Sequence, residues 1–201
     1  MKYSLLFMLL LAPTSIKALR YLSTHDVRTF LRNFDNIDIY TQQKFGTQTL
    51  KTLTREHVVP KSFCKGPHSD CDLHNLFPCL YHVNCNRSNY KFMDIDECDA
   101  KVKSTKTVFA KDCIKCDEHR YFFPCNDISK GIVARACAYM YIMYPKVYDL
   151  RNQILDIELL KKWNNLHHPT QYEKERNLLV YDWQRNKNEF TDNPELIYKF
   201  F

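Results

Sequence analysis

The chain has 201 residues, 45% of them apolar, and a formal net charge of +6. That length suits one domain with a core of its own, and the ordinary apolar content argues against disorder. The three glycines, Gly46, Gly66 and Gly131, lie too far apart to build a phosphate-cradling glycine loop, which excludes that class of nucleotide site.

In chain order, the first element is a targeting signal. Lys2 gives the positive start, "SLLFMLLLA" the apolar stretch, and Ala18 a small residue before a cut. The apolar run is about half the length of a membrane span, so a cleaved leader over 1–18 is expected rather than an uncleaved anchor. No second run of spanning length follows, and a secreted, lumenal or periplasmic protein is expected. Loss of 1–18 removes Lys2 and Lys17 and no acid, which lowers the charge from +6 to +4. A mildly basic chain permits an anionic partner such as nucleic acid without demanding one.

"STHDVRTFLRNF" (23–34) begins with a Ser23 or Thr24 cap and spaces Val27, Phe30, Leu31 and Phe34 as a helix does. "TQTLKTLTREHVVP" (47–60) has strand-like spacing and stops at Pro60. A cysteine-bearing loop, 61–72, leads to "DLHNLFP", where Pro78 is expected as an early helical residue, and "CLYHVNCNRSNYKF" reads as a short helix. The charged segment 94–130 is expected to be an irregular, cysteine-rich insert. "ISKGIVARACAYMYIMYP", "DIELLKKWNNL" and "PTQYEKERNLLVYDWQRN" read as three further helices. The expected architecture is α+β, mainly helical with a small antiparallel sheet, in one domain over 19–201.

Nine cysteines in a secreted chain read as disulfides, with an odd one left over. Cys64 and Cys71 flank the 61–72 loop and are placed to close it. Cys79 and Cys85 are poorly spaced for joining, and Cys137 reads as a buried thiol. "CIKC" at 113–116, between Cys98 and Cys125, also allows a zinc reading, but disulfides are favoured by compartment.

The chemistry concentrates in 53–92. A strand ending in Glu56-His57, a loop, and a helix bearing Asn84, Arg87 and Ser88 can set a carboxylate, an imidazole and an amide oxygen around one volume. Phosphodiester hydrolysis needs such a set: Glu56 and Asn84 as oxygen ligands of a hard cation, His57 as a base, and Arg87 as a phosphate clamp. Each piece alone has a plainer reading. Glu-His pairs are common, Asn84 and Arg87 fit a polar helix face, and His74 fits a core histidine.

The order of the pieces is more specific. "REHVVPKSF", "DLHNLFP" and "VNCNRSNYKF", followed by "KGIVARACAYMYIMY" and "LKKWNNLHHPTQYEKERNLLVYDWQRNKNEF", resemble the bacterial endonuclease I family over most of 53–92 and 131–190. The resemblance implies a ββα-metal (His-Me finger) core and a periplasmic or secreted endonuclease. It would cut DNA, with RNA left open as a second substrate, without sequence preference and leave 5′-phosphate ends. It implies Glu56 and Asn84 as ligands of one Mg²⁺, with Ca²⁺ or Mn²⁺ as substitutes, and His57 as general base. Arg87 then serves either catalysis and substrate binding or a structural ion pair. His74, Asn75 and Asn89 brace the site, and Asp70 stands where an acid can lie near the metal. Arg176, Asn177 and Gln184 match the family ending in structural roles, and Trp163 and Trp183 read as core.

This chain departs from the family in its short 61–73 loop, which lacks the family's phosphate-binding Arg. Lys61, Lys65 or His68 stand in as point charges. A monomer is the expected state. The competing reading is a secreted, disulfide-rich nucleic-acid-binding protein that keeps the nuclease fold without the activity, and a zinc-binding module over 98–125 is a third.

Overall fold

The computed structural model describes residues 20–46, 53–110 and 113–201; the expected leader and residues 47–52 lie outside the described residues. Helix α1 (Thr24–Asn33) starts on a capping box, with Ser23 and Asp26 each accepting the other's backbone N–H. Its Val27, Phe30 and Leu31 form one buried face against Leu73, Leu76 and Val180.

Strands β1 (Leu53–His57) and β2 (Leu76–Leu80) pair antiparallel, with Glu56 opposite Phe77 and His57 opposite Leu76. Helix α2 (Tyr81–Arg87) follows β2 without a linker. The expected helical role of Pro78 is therefore wrong: it sits in β2 opposite Arg55. Among the described residues β2 has only β1 as a strand partner, so the missing N–H breaks no second ladder there, and the Pro78 carbonyl accepts from Ile39 N at 3.1 Å.

The insert is also more regular than expected. It holds α3 (Ala100–Thr105), β4 (Thr107–Ala110), β5 (Cys113–Cys116) and β6 (Tyr121–Phe123). With β3 (Lys91–Phe92) these strands form a four-stranded sheet in the order β3-β6-β5-β4, where β3 runs parallel to β6 and the other pairs are antiparallel. The strands are short runs rich in β-branched and aromatic residues, in which Lys91 and Lys115 interrupt the apolar pattern. A disulfide joins Cys113 to Cys125, tying β5 to the segment leading into the next helix. Two of the four cysteines of the zinc reading are thus bonded to each other. Cys64, Cys71, Cys79, Cys85, Cys98, Cys116 and Cys137 are free, so the expected 64–71 closure is not formed, and Cys137 is buried as expected.

Helix α4 (Asp127–Met143) is apolar on nearly every side and runs through the core, packing most extensively on α6 (Ile157–Leu166). Short α5 (Pro145–Tyr148) follows α4 with Pro145 in its first turn. Helices α7 (Gln171–Gln184), α8 (Glu189–Asp192) and α9 (Leu196–Phe200) complete the chain. A Cβ at Gly131 would lie 2.5 Å from the His167 carbonyl, so only glycine permits this approach of α4 to the loop after α6. One turn on, Arg135 grips both oxygens of Glu173 on α7 at 2.6 and 2.7 Å and donates to the His167 carbonyl at 2.8 Å. No helix among the described residues is long and apolar enough to cross a membrane.

Candidate active site

Alternate residues of a strand share a face. Thr54 and Glu56 therefore point to one side of β1, and Arg55 and His57 to the other. Helix α2 covers the Thr54–Glu56 side. Its Asn84 donates through Nδ2 to Thr54 Oγ1 at 2.8 Å and to the Arg55 carbonyl at 3.2 Å. Both hydrogens of the amide face β1, which leaves Oδ1 as the outward atom.

One helical turn on, Arg87 meets Glu56. Its Nε lies 3.1 Å from Glu56 Oε1, and both side chains are almost fully buried, at 0% and 3% exposure. Nη2 donates to the Val58 carbonyl at 2.5 Å and Nη1 to the Ser88 carbonyl at 2.8 Å. The guanidinium lies 4.5 Å over the Phe92 ring. Ser88, which closes α2, adopts φ 52, a conformation unusual outside glycine, and so turns its carbonyl to Arg87. Tyr40 donates its hydroxyl to the same Glu56 oxygen at 2.7 Å. Burial pushes the Glu56 carboxyl up to about 7, against the opposing pull of Arg87 and Tyr40.

On the other face, His57 Nε2 lies 3.0 Å from the Asp70 carbonyl oxygen. A carbonyl can only accept, so Nε2 carries the hydrogen and Nδ1 is the basic nitrogen. Burial lowers the His57 pKa to about 4, helped by Arg55 and Lys61 and opposed by the Asp70 carbonyl. The imidazole is therefore neutral at neutral pH.

The 58–75 loop that carries Asp70 is fixed from several sides. Asn75 accepts from Val59 N at 2.7 Å and donates to the Val59 carbonyl at 3.1 Å, with its own carbonyl taking Val58 N. Asp72 is buried and receives four donors: His74 N, Gln184 Nε2, Tyr139 OH and Tyr144 OH. Gln184 also accepts Leu73 N, and Arg176 holds the Leu73 and Leu76 carbonyls while paired with Asp35 at 2.6 Å. His74 is buried, with Nε2 against the Asn186 carbonyl and its ring 4.5 Å from that of Tyr139.

The structure thus gathers Glu56, Arg87 and Asn84 on one side of β1, and His57 with Asp70 on the other. Lys61 and Asp70 are an exposed pair 3.9 Å apart, and Lys65 is exposed. Asn89 lies apart, accepting a hydrogen bond from Arg120 near the insert. Trp163 is core, donating to Asp94 at 3.4 Å, and Trp183 packs edge-on against Phe30 and Phe34. Tyr40, Thr54 and Asp72 were not singled out from sequence. Tyr40 lies sixteen residues before Glu56 in a segment with no periodic pattern, so nothing local marks it. Asp72 opens the "DLHNLFP" run and carried a signal that could have been read.

A family sequence model described as Endonuclease I matches residues 14–195. The chain is 25% identical over 126 residues to an Endonuclease-1 of Buchnera aphidicola subsp. Acyrthosiphon pisum, covering 63% of this chain and 46% of that protein. It is 30% identical over 156 residues to a periplasmic deoxyribonuclease of Aeromonas hydrophila, covering 68% and 62%. It is 30% identical over 179 residues to an extracellular ribonuclease of Bacillus amyloliquefaciens, covering 78% and 58%. The chain therefore spans about half to two thirds of the length of these curated relatives. With the family match running through the ββα unit and every long helix behind it, the chain belongs to the Endonuclease I family.

Proposed function

We propose that this protein is a Mg²⁺-dependent endonuclease that hydrolyses phosphodiester bonds of DNA and RNA without sequence preference, leaves 5′-phosphates, and works outside the cytoplasm. The observation that carries the reading is the end of β1: Glu56 under α2, the helix whose Asn84 bonds Thr54 and the Arg55 carbonyl, and next to it a neutral His57 oriented by the Asp70 carbonyl. Relatives named as deoxyribonucleases and a ribonuclease support the substrate class, and relatives named periplasmic and extracellular, with the Cys113–Cys125 disulfide, support the compartment.

The donor set fits a hard cation. Glu56 would offer Oε2, its Oε1 being faced by Tyr40 and Arg87, and Asn84 would offer a neutral oxygen with its nitrogen already committed. Two protein oxygens are what Mg²⁺ takes when water and phosphate complete its shell, and Ca²⁺ or Mn²⁺ would accept the same atoms. When bound, the cation supplies charge stabilisation for the phosphate and the leaving 3′-oxygen.

The protein's own residues do the rest. His57 takes a proton from the attacking water at Nδ1, while Nε2–H stays on the Asp70 carbonyl and keeps the ring from turning. Arg87 contributes by holding Glu56 and the Val58 carbonyl on either side of His57; fully buried, with Nη1 and Nη2 on backbone carbonyls, it is a positioning residue and not a phosphate clamp. Lys61 and Lys65 supply positive charge for the phosphate backbone, which gives affinity without base information.

The test is plasmid DNA incubated with the protein in Mg²⁺ or in EDTA. Cleavage only with Mg²⁺, lost in His57→Ala with the fold intact, is expected. Equal outcomes with and without metal, or DNA binding without cleavage, would overturn it in favour of a binding protein.

A further inference from the structure

Beside the His57 loop lies a pair of exposed rings that the catalytic reading does not use. Tyr21 is 57% exposed, and its ring stacks on that of His68 with centroids 4.3 Å apart and planes 24° from parallel. Both are held in place. Arg20 N donates to the Gln184 carbonyl at 2.9 Å and Leu22 is buried, which fixes the chain on each side of Tyr21. His68 sits at φ 61, a left-handed conformation that His adopts at some cost, directly before the single turn Ser69–Cys71. That turn carries the Asp70 carbonyl that holds His57, so the ring pair is two residues from the atom that orients the base. The Arg20 guanidinium, more than half exposed and 3.6 Å from Asp26, is the cationic group beside the rings, and Lys61 and Lys65 are exposed on the same loop as His68. A shallow depression lined by Arg20, Tyr21, His68 and Tyr144 opens next to the rings.

We propose that Tyr21 and His68 form a stacking shelf for an unpaired base of the strand being cut, adjacent to the scissile phosphate. The inference rests on the nuclease reading and deepens it. Exposed aromatic faces beside cationic side chains are how proteins hold single-stranded nucleic acid without reading its sequence, because every base offers a ring face. A base inside a duplex presents no free face, so the shelf favours single-stranded and frayed substrate over intact duplex.

The experiment compares wild type with Tyr21→Leu, Tyr21→Phe and His68→Asn, the last chosen because Asn tolerates the left-handed backbone. Each is assayed in Mg²⁺ on a short single-stranded oligonucleotide and on the same strand made of abasic nucleotides. Tyr21→Leu and His68→Asn are expected to raise KM about tenfold on the normal strand, with kcat within about twofold, since loss of one base stack is worth that much. Tyr21→Phe keeps the wild-type KM. On the abasic strand the variants and wild type coincide. Wild-type KM values for the two shelf variants on the normal strand, or the same rise on both strands, would overturn the shelf while leaving the nuclease reading standing. Should wild type cut neither strand, the nuclease reading falls, and fluorescence anisotropy with the same strands then reads the shelf directly. Weaker binding of the normal strand by the two variants supports it, and unchanged binding overturns it.

Discussion

Arg87 and Glu56 meet 3.1 Å apart inside the protein, and the same guanidinium reaches past Glu56 to the carbonyl of Val58. One side chain thereby brackets the Glu56-His57 dipeptide. Removing it would strand a carboxylate away from water. Arg87→Met is expected to cost about 3–5 kcal/mol of stability, as breaking a buried ion pair does, measured by urea unfolding. Arg87→Lys should recover only part of this, because an ammonium cannot reach Glu56, Val58 and Ser88 together. A stability loss under about 1 kcal/mol for Arg87→Met would contradict this role.

Asn84→Ala is expected to shift the metal requirement more than the fold. The variant loses one neutral oxygen and two hydrogen bonds to β1. The Mg²⁺ concentration for half-maximal cleavage should rise by at least about tenfold, given that even outer-shell changes cost that much in metal affinity. An unchanged Mg²⁺ titration would remove Asn84 from the ligand set.

Acid should weaken the fold through His74. Burial holds its pKa down to about 4, from an ordinary value of 6.5, with Arg176 also lowering it and Asp72, the Asn186 carbonyl and Asp192 opposing. The unfolded chain binds the proton first, so this contribution is complete above about pH 6.5, falls as the pH drops, and is gone by about pH 4. At 1.36 kcal/mol per pH unit, the loss is on the order of 3 kcal/mol. Urea unfolding at pH 7, 5.5 and 4 should show a steeper decline for wild type than for His74→Gln, and parallel slopes would refute it.

Reduction should loosen the insert. Cys113 and Cys125 close a loop of 12 residues in sequence separation. Such a cross-link contributes about 3 kcal/mol by restricting the unfolded chain. Wild type should unfold at lower urea with a reductant, and the Cys113→Ser, Cys125→Ser double variant should match the reduced protein and ignore reductant.

The helices were legible where periodicity and caps agreed. Ser23, Asp156 and Thr170 each cap the helix expected after them, and α4, α6 and α7 lie where their apolar patterns put them. Pro78 was misread because a proline after "LHNLF" suits a helix start as well as an edge strand; only pairing with Arg55 decides. The insert's strands are three or four residues long, too short for alternation to stand out. Residues of the site could be named from their order along the chain, but their states could not. That Arg87 points inward and not at solvent depends on Tyr40, Val58 and Phe92, which meet it only in three dimensions.

Asp72 takes hydroxyl donors from Tyr139 and Tyr144 at the far end of α4 and an amide from Gln184 at the last turn of α7. The stretch that aims the imidazole is therefore anchored by residues lying 67 to 112 positions downstream. A chain stopped before α4 would already contain Glu56, His57 and Asn84, yet lack all three of these posts. The proposed site is thus steadied late in the chain, only once its final third has docked.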